Sequence, residues 1–273
     1  MAFAQLSKVK LEYFDHGQGP ETVVFVHGFQ ASARIWQKVQ EALPADRYRS
    51  IAINNRGAGQ SDAPADEAEF SIQCFASDVH ELVTQLGFTQ FTLAGHSLGG
   101  ATVAEYAVNH PGMLKGLILL DPADPDGREM NPEEIEAFLD QRMEARRAQL
   151  ARGGGGDGID ATGAGASDEQ MQLLTADINA APERRLRGSM RSMFTVRLGD
   201  KVKDLPMPVL LAGGDQDALI PLPAMLATWA KYPKGTSLHI WHGMGHSPNL
   251  DMPDKFAALV RRFIEITIPA RTG

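Results

Sequence analysis

The strand-like run Phe91-Thr92-Leu93-Ala94 passes without a spacer into Gly95-His96-Ser97-Leu98-Gly99-Gly100, and a helical pattern follows as far as Pro111. A strand that enters a helix through so short a bend leaves no space for side chains two positions before and two after its centre. Gly95 and Gly99 occupy those two positions. The bend strains the backbone of Ser97 and lifts its hydroxyl clear of the sheet, while the N–H of Leu98, at the helix start, points at whatever reacts there. A glycine-rich turn with an incidental serine is the bland alternative. The strand–turn–helix setting favours a nucleophile.

The rest of the chain supports a layered α/β fold. Thr22 to Val26 is a continuous apolar run, the mark of a strand buried on both faces. Ile35, Trp36, Val39 and Leu43 then fall at helical spacing, with Pro44 as the stop. Tyr48 to Ile53 reads as a strand, Ser71 as the N-cap of a helix that ends at Gly87, and Leu117 to Leu120 as a strand. The grammar returns with strands at Val209 to Ala212 and Leu238 to Trp241 and a last helix opening near Pro253. Such alternation implies a mostly parallel central sheet flanked by helices.

Residues 122–205 differ in texture. Asn131-Pro132-Glu133-Glu134 starts one helix, Ser167 with Gln170 forms a capping-box start for a second, and Pro182 to about Leu198 carries a third. We read an inserted helical cap over 122–205, with the core made of 1–121 and 206–273. Gly153 to Gly158 reads as a mobile lid segment or a tolerated loop. Arg184, Arg185, Arg187, Arg191 and Arg197 read as a solvated helix face, with recognition of a substrate carboxylate as the alternative.

A serine nucleophile needs a base. Of eight histidines, His246 lies in a glycine-flanked turn after a late strand, at the sheet edge where open α/β folds gather ligands. His27 and His96 are explained by packing and backbone bonding, and His242 as a neighbour of the base loop. An acid must fix the imidazole, and Asp215 and Asp217 both follow the strand Val209 to Ala212. Asp121, after the strand at Leu117 to Leu120, is a further candidate.

These motifs, in this order, resemble the α/β-hydrolase superfamily, in its serine hydrolase branch with a helical cap; the likeness runs from about residue 10 to residue 266. His27-Gly28-Phe29 is similar to its oxyanion segment, implying that the N–H groups of Phe29 and Leu98 form the oxyanion hole. Gly214, Asp217 and Pro221 match the family's acid segment. The resemblance therefore implies the triad Ser97, Asp217 and His246, with Asp215 shaping the loop. Arg56-Gly57-x-Gly59-x-Ser61 matches a family turn, except that Asn54 stands where an aspartate is usual. Gly28, Phe29, Trp36, Met193, Phe194 and Met244 are the candidates for an apolar pocket.

The implied activity is hydrolysis of a carboxylic ester or lactone through an acyl-enzyme, with no metal or organic cofactor. Cleavage of a carbon–carbon bond, cofactor-free haloperoxidase activity and a hydrolase-fold small-molecule receptor are the alternatives. A serine at the elbow disfavours the dehalogenase and epoxide-hydrolase branches, which need a carboxylate there. With 26 basic against 34 acidic residues the formal charge is −8, which disfavours nucleic acid and anionic membrane as partners. The single cysteine, Cys74, excludes an internal disulfide and a thiolate zinc cage. No apolar run approaches the length of a membrane span and Met1 to Lys10 lacks a signal-like stretch, so a cytoplasmic protein is expected. Oligomeric state is not written in these patterns.

Overall fold

The computed structural model describes residues 1–153 and 164–267. Its first elements are β1 (Ala2–Gln5), β2 (Lys10–His16), β3 (Glu21–Val26), α1 (Gln37–Ala42) and β4 (Tyr48–Ile53). Next come α2 (Ile72–Gln85), β5 (Phe91–His96), α3 (Leu98–Asn109) and β6 (Leu114–Leu120). Three helices, α4 (Pro132–Ala151), α5 (Asp168–Ala180) and α6 (Glu183–Thr195), separate β6 from β7 (Val209–Gly214). The chain closes with α7 (Leu222–Trp229), β8 (Ser237–Trp241), α8 (Pro248–Asp251) and α9 (Pro253–Thr267).

The strands form one sheet in the order β1-β2-β4-β3-β5-β6-β7-β8. Only the pairings that involve β2 are antiparallel. The period of two along each strand sends Val24 and Val26 to the face covered by α2 and α3, and Val23 and Phe25 to the face covered by α1 and α9. Both faces are dry, as the continuous apolar runs require. The chain leaves β3 in one lateral direction for β4 and enters β5 on the other side, so the loops after β3 and β5 lie side by side at the carboxyl edge. That is the switch point where open α/β sheets bind ligands.

The β1–β2 pair was not expected from sequence. Leu11, Glu12 and Tyr13 are all buried in β2, so neither alternation nor an apolar run marks it. Local signals elsewhere act as their chemistry directs. Ser71 Oγ accepts from Cys74 N, Gly87 adopts φ 76° beyond α2, and Asn131 and Glu134 close a full capping box on α4. On α5 the expected box is only half made. Ser167 Oγ accepts from Gln170 N, but the Gln170 amide donates instead to Arg34 O at 2.8 Å.

Helices α4 to α6 form the inserted cap, with a small core of Ile135, Leu139, Met190 and Phe194. Val196, Leu198, Val202 and Leu205 already pack into the core of the body. Residues 154–158 of the glycine-rich stretch lie outside the described residues. The solvated-face reading of the α6 arginines needs correction. Arg185 is buried and donates to Ala31 O at 2.9 Å and Gly57 O at 3.3 Å, two carbonyls of the body. Arg184 donates to Ala63 O and Pro64 O, and Arg187 and Arg191 pair with Glu67 of the body and Glu136 of α4. These side chains clip the cap to the body. Trp36 is likewise corrected. It is fully buried, stacked on Phe25 at 4.9 Å and tilted against Phe256 at 5.7 Å, so it belongs to the core and lines no pocket.

Candidate active site

Ser97 stands between β5 and α3 at φ 54° and ψ −118°, backbone angles that a residue with a side chain rarely adopts. The turn is held from both sides: Ser97 N donates to Leu120 O at 3.0 Å, and Ser97 O accepts from Gly100 N and Ala123 N. A Cβ at Gly95 would lie 2.2 Å from Gly99 O, and one at Gly99 would lie 2.4 Å from Val26 O. Both glycines are therefore steric necessities. Gln30, Ser97 and Asp121, the non-glycine residues at positive φ among those described, follow β3, β5 and β6. Backbone strain is gathered at one edge of the sheet, around one site.

His246 and Asp217 reach this edge from the loops after β8 and β7. His246 Nδ1 and Asp217 Oδ2 are 2.7 Å apart, and both side chains are buried. Burial alone would push the Asp217 carboxyl up. The hydrogen bond and charge of His246, with the N–H groups of Leu219 and Ile220 on Oδ1, outweigh it and hold the group below the usual carboxylate range. Asp215 instead accepts from Gly243 N at 2.7 Å and holds the exposed His242 ring, so it shapes the loop. The Asp121 carboxylate, which accepts from Gly214 N, lies with Asp217 and His246 in a group whose ligand atoms are within 4.8 Å of one another. Asp217 and His246 are turned to each other there rather than to a shared centre, so the set does not fit a cation.

Two further histidines act as backbone struts. His96 Nε2 donates to His246 O at 2.7 Å, tying the turn to the loop after β8; burial, reinforced by the nearby His246, lowers its pKa to about 3. His27 bridges Gly28 O and Asn55 N, and burial, aided by the Arg185 charge, lowers it to about 3 as well. Both rings are neutral at physiological pH.

Ser97 and His246 line one cavity of about 360 Å³ beneath the cap. Phe29, Met193 and Phe194 line it as anticipated. Gly28 is not a lining residue; it lies beneath, where a Cβ would come within 3.0 Å of Ser97 Cβ. The Leu98 side chain packs away into Phe70 and Phe75, leaving its backbone beside Ser97. Met244 does not line the cavity, and its carbonyl accepts from Gln216 N. Pro122 and Ala123 after β6, Phe138 and Arg142 on α4, and Leu219 and Ile220 after β7 also line the cavity, though no motif in the sequence marks them. The carboxyl-edge rule signalled the segments after β6 and β7; on α4 the clue is the i, i+4 spacing of Phe138 and Arg142.

The departure at Asn54 has a physical reason. Its Nδ2 donates to Glu12 Oε2 at 2.6 Å, and its Oδ1 accepts from Ala33 N at 2.6 Å. An aspartate there would set a second carboxylate against Glu12, which is fully buried. The arginine of the same turn, Arg56, takes Asp78 in a two-pronged pair at 2.6 and 2.8 Å and Glu69 at 2.8 Å.

The profile of the alpha/beta hydrolase fold family matches residues 21–154. The chain is similar to the non-heme chloroperoxidase CPO-A1 of Kitasatospora aureofaciens, 28% identical over 90% of this chain and 92% of that one. An esterase of Exiguobacterium antarcticum superposes with a TM-score of 0.77 at 25% identity, covering 96% of this chain and 98% of that one. The enol-lactonase of Burkholderia xenovorans LB400 superposes at 0.81 over 97% of this chain and the whole of that one, and at 18% identity it speaks for the fold alone. With the sheet order, the turn at Ser97 and the inserted cap, these likenesses show that the chain has the alpha/beta hydrolase fold.

Proposed function

We propose that this chain is a serine hydrolase that cleaves a carboxylic ester or lactone through an acyl-enzyme. One observation carries the reading: a strained serine shares a cavity with a buried histidine whose other nitrogen is fixed by a buried, ionised carboxylate. Asp217 accepts the proton carried on His246 Nδ1, which leaves Nε2 as the base. Nε2 takes the Ser97 hydroxyl proton as Oγ attacks the carbonyl carbon. The oxyanion accepts from the N–H groups of Phe29 and Leu98, each worth roughly 10²–10³ in turnover. The carbon–oxygen bond to the alcohol then breaks and His246 returns the proton to it. Water, deprotonated by His246, releases the acid and restores Ser97. The apolar walls of the cavity suit a small or medium organic acyl ester.

A fluorophosphonate probe is expected to label Ser97 alone, and Ser97→Ala to lower the turnover of 4-nitrophenyl esters by roughly 10³-fold or more. Full esterase activity in Ser97→Ala overturns the reading. The chloroperoxidase relative favours a second activity of the same acyl-enzyme. If hydrogen peroxide replaces water as the attacking group, the product is a peracid, which then oxidises halide. Bromination that requires peroxide and an organic acid, and that is lost in Ser97→Ala, tests it.

A further inference from the structure

Two guanidinium groups line the same cavity as Ser97 and His246. Arg142 is half-buried, one helical turn beyond Phe138 on α4. Arg128 stands exposed at the rim, its guanidinium carbon 4.7 Å from the ring centroid of the buried Phe194. Among the described residues neither has an ion-pair partner, whereas Arg184, Arg185, Arg187, Arg191 and Arg197 of the α6 region all bind carbonyls or carboxylates. Among the described residues one carboxylate lines the cavity, that of Asp124, and it is occupied by Lys231 Nζ at 2.5 Å and Asp126 N at 2.8 Å. The cavity thus carries two guanidinium groups, Arg142 half-buried in its wall and Arg128 at its rim, that no carboxylate of the described residues pairs. A purely apolar substrate would cover Arg142 without supplying an anion, an unfavourable arrangement.

Building on the ester-hydrolase reading, we infer that the substrate carries an anionic group, a carboxylate or a phosphate, away from the scissile bond, and that Arg128 and Arg142 receive it. The planar fork of arginine matches both anions. Binding at this remote end would hold the carbonyl against Ser97, so the arginines are specificity residues and take no part in bond cleavage.

The test compares 4-nitrophenyl half-esters of succinate, glutarate and adipate, and a 4-nitrophenyl butyrate phosphorylated at its far end, with uncharged 4-nitrophenyl esters of matching length. The charged-to-uncharged ratio of kcat/KM is expected to exceed one. It should fall about tenfold in Arg142→Ala and in Arg128→Ala, chiefly through KM, fall further in Arg142→Glu, and be largely kept in Arg142→Lys. The charged series with the higher ratio names the anion. A ratio of one or less that the substitutions do not move overturns the inference. A second arm needs no turnover: the Ser97→Ala protein is titrated calorimetrically with monoethyl glutarate and with a phosphoryl butyrate ester. A Kd about tenfold weaker when Arg142→Ala is added supports the inference, and an unchanged Kd, or no binding of either anion, overturns it. Fluorophosphonate labelling of Ser97 reports on the hydrolase reading separately, because it requires no anionic substrate.

Discussion

The turn that carries Ser97 and the cap above it are held by different forces. Around the turn, contact is backbone on backbone: Gly95 against Gly99 O, Gly99 against Val26 O, and hydrogen bonds from Ser97 to Leu120, Gly100 and Ala123. The two histidines that brace it are neutral and buried. The cap is tied down by long charged side chains that reach across to the body, Arg184 and Arg185 to carbonyls and Arg187 and Arg191 to Glu67. Its apolar anchorage to the body is made by Phe29, which packs against three separate small clusters, by Met193 of α6, and by Leu174 and Ile178 of α5, which are buried in the core beside α1 and α9. The turn has no room to yield, while the α6 side of the cap rests in part on ion pairs that solvent ions weaken.

The largest effect is expected where there is no room. Gly99→Ala would drive a methyl group to 2.4 Å from Val26 O and 2.7 Å from His27 O, and these are backbone atoms inside the sheet. Overpacking of this kind costs roughly 3 kcal/mol, a large share of the stability of an ordinary domain. Arg184→Ala, at an exposed position on α6, should leave the denaturation midpoint within roughly 0.5 kcal/mol of the parent. Urea denaturation of the two variants side by side decides the matter. A Gly99→Ala protein nearly as stable as the parent would break the contrast between a rigid turn and a yielding cap.

That contrast also explains what could be read from the sequence. The turn is written in five residues, with Gly95 required by Gly99 O inside it and Gly99 by Val26 O of the neighbouring strand, so Gly95, Ser97 and Gly99 announce it. His246 and Asp217 follow from their loops at the strand ends, with the family resemblance needed to prefer Asp217 over Asp215. The cap's fastenings join residues far apart: Arg185 and its acceptors lie 128 and 154 positions from one another along the chain. An arginine bonded to buried carbonyls leaves the same letters as one in water. Trp36 failed as a pocket residue for a related reason, since helical spacing is identical whether a face packs on a sheet or on a cavity. β2 carries no apolar pattern because Glu12 sits inside, where the Asn54 amide and Gln60 N–H both donate to one oxygen of its carboxylate.

Acid should loosen the rigid region. Above pH 6.5 His27 and His96 are neutral in the folded and unfolded chain alike. Between pH 6.5 and about 3 the unfolded histidines bind protons that the buried rings refuse, so stability falls as pH falls through that window. The slope is about 1.4 kcal/mol per pH unit for each ring, or about 2 kcal/mol per ring at pH 5. Asp217 acts lower down: its depressed carboxyl contributes stability above pH 3.8 that is lost as pH falls through its folded pKa. Urea midpoints at pH 8 and pH 5 measure the effect, and His27→Asn should remove about half of it. Equal stability at the two pH values would show that these rings are not braces held neutral by burial.

Salt should do to the cap what acid does to the turn, on a smaller scale. Glu67 receives Arg187 and Arg191, with side chains that keep 29%, 18% and 35% of their exposure, so water and ions already screen the pairs. Glu67→Gln keeps the size of the side chain and removes its charge, and is expected to lower global stability by about 1 kcal/mol or less. The sharper readout is local. Amide hydrogen exchange in α6 should quicken in Glu67→Gln, and raising salt to 0.5 M should produce the same change in the parent, while exchange in β5 stays as it was. Equal acceleration in both elements would mean that cap and turn open as one unit, and that the division between a fixed chemical centre and a separately fastened roof does not describe this molecule.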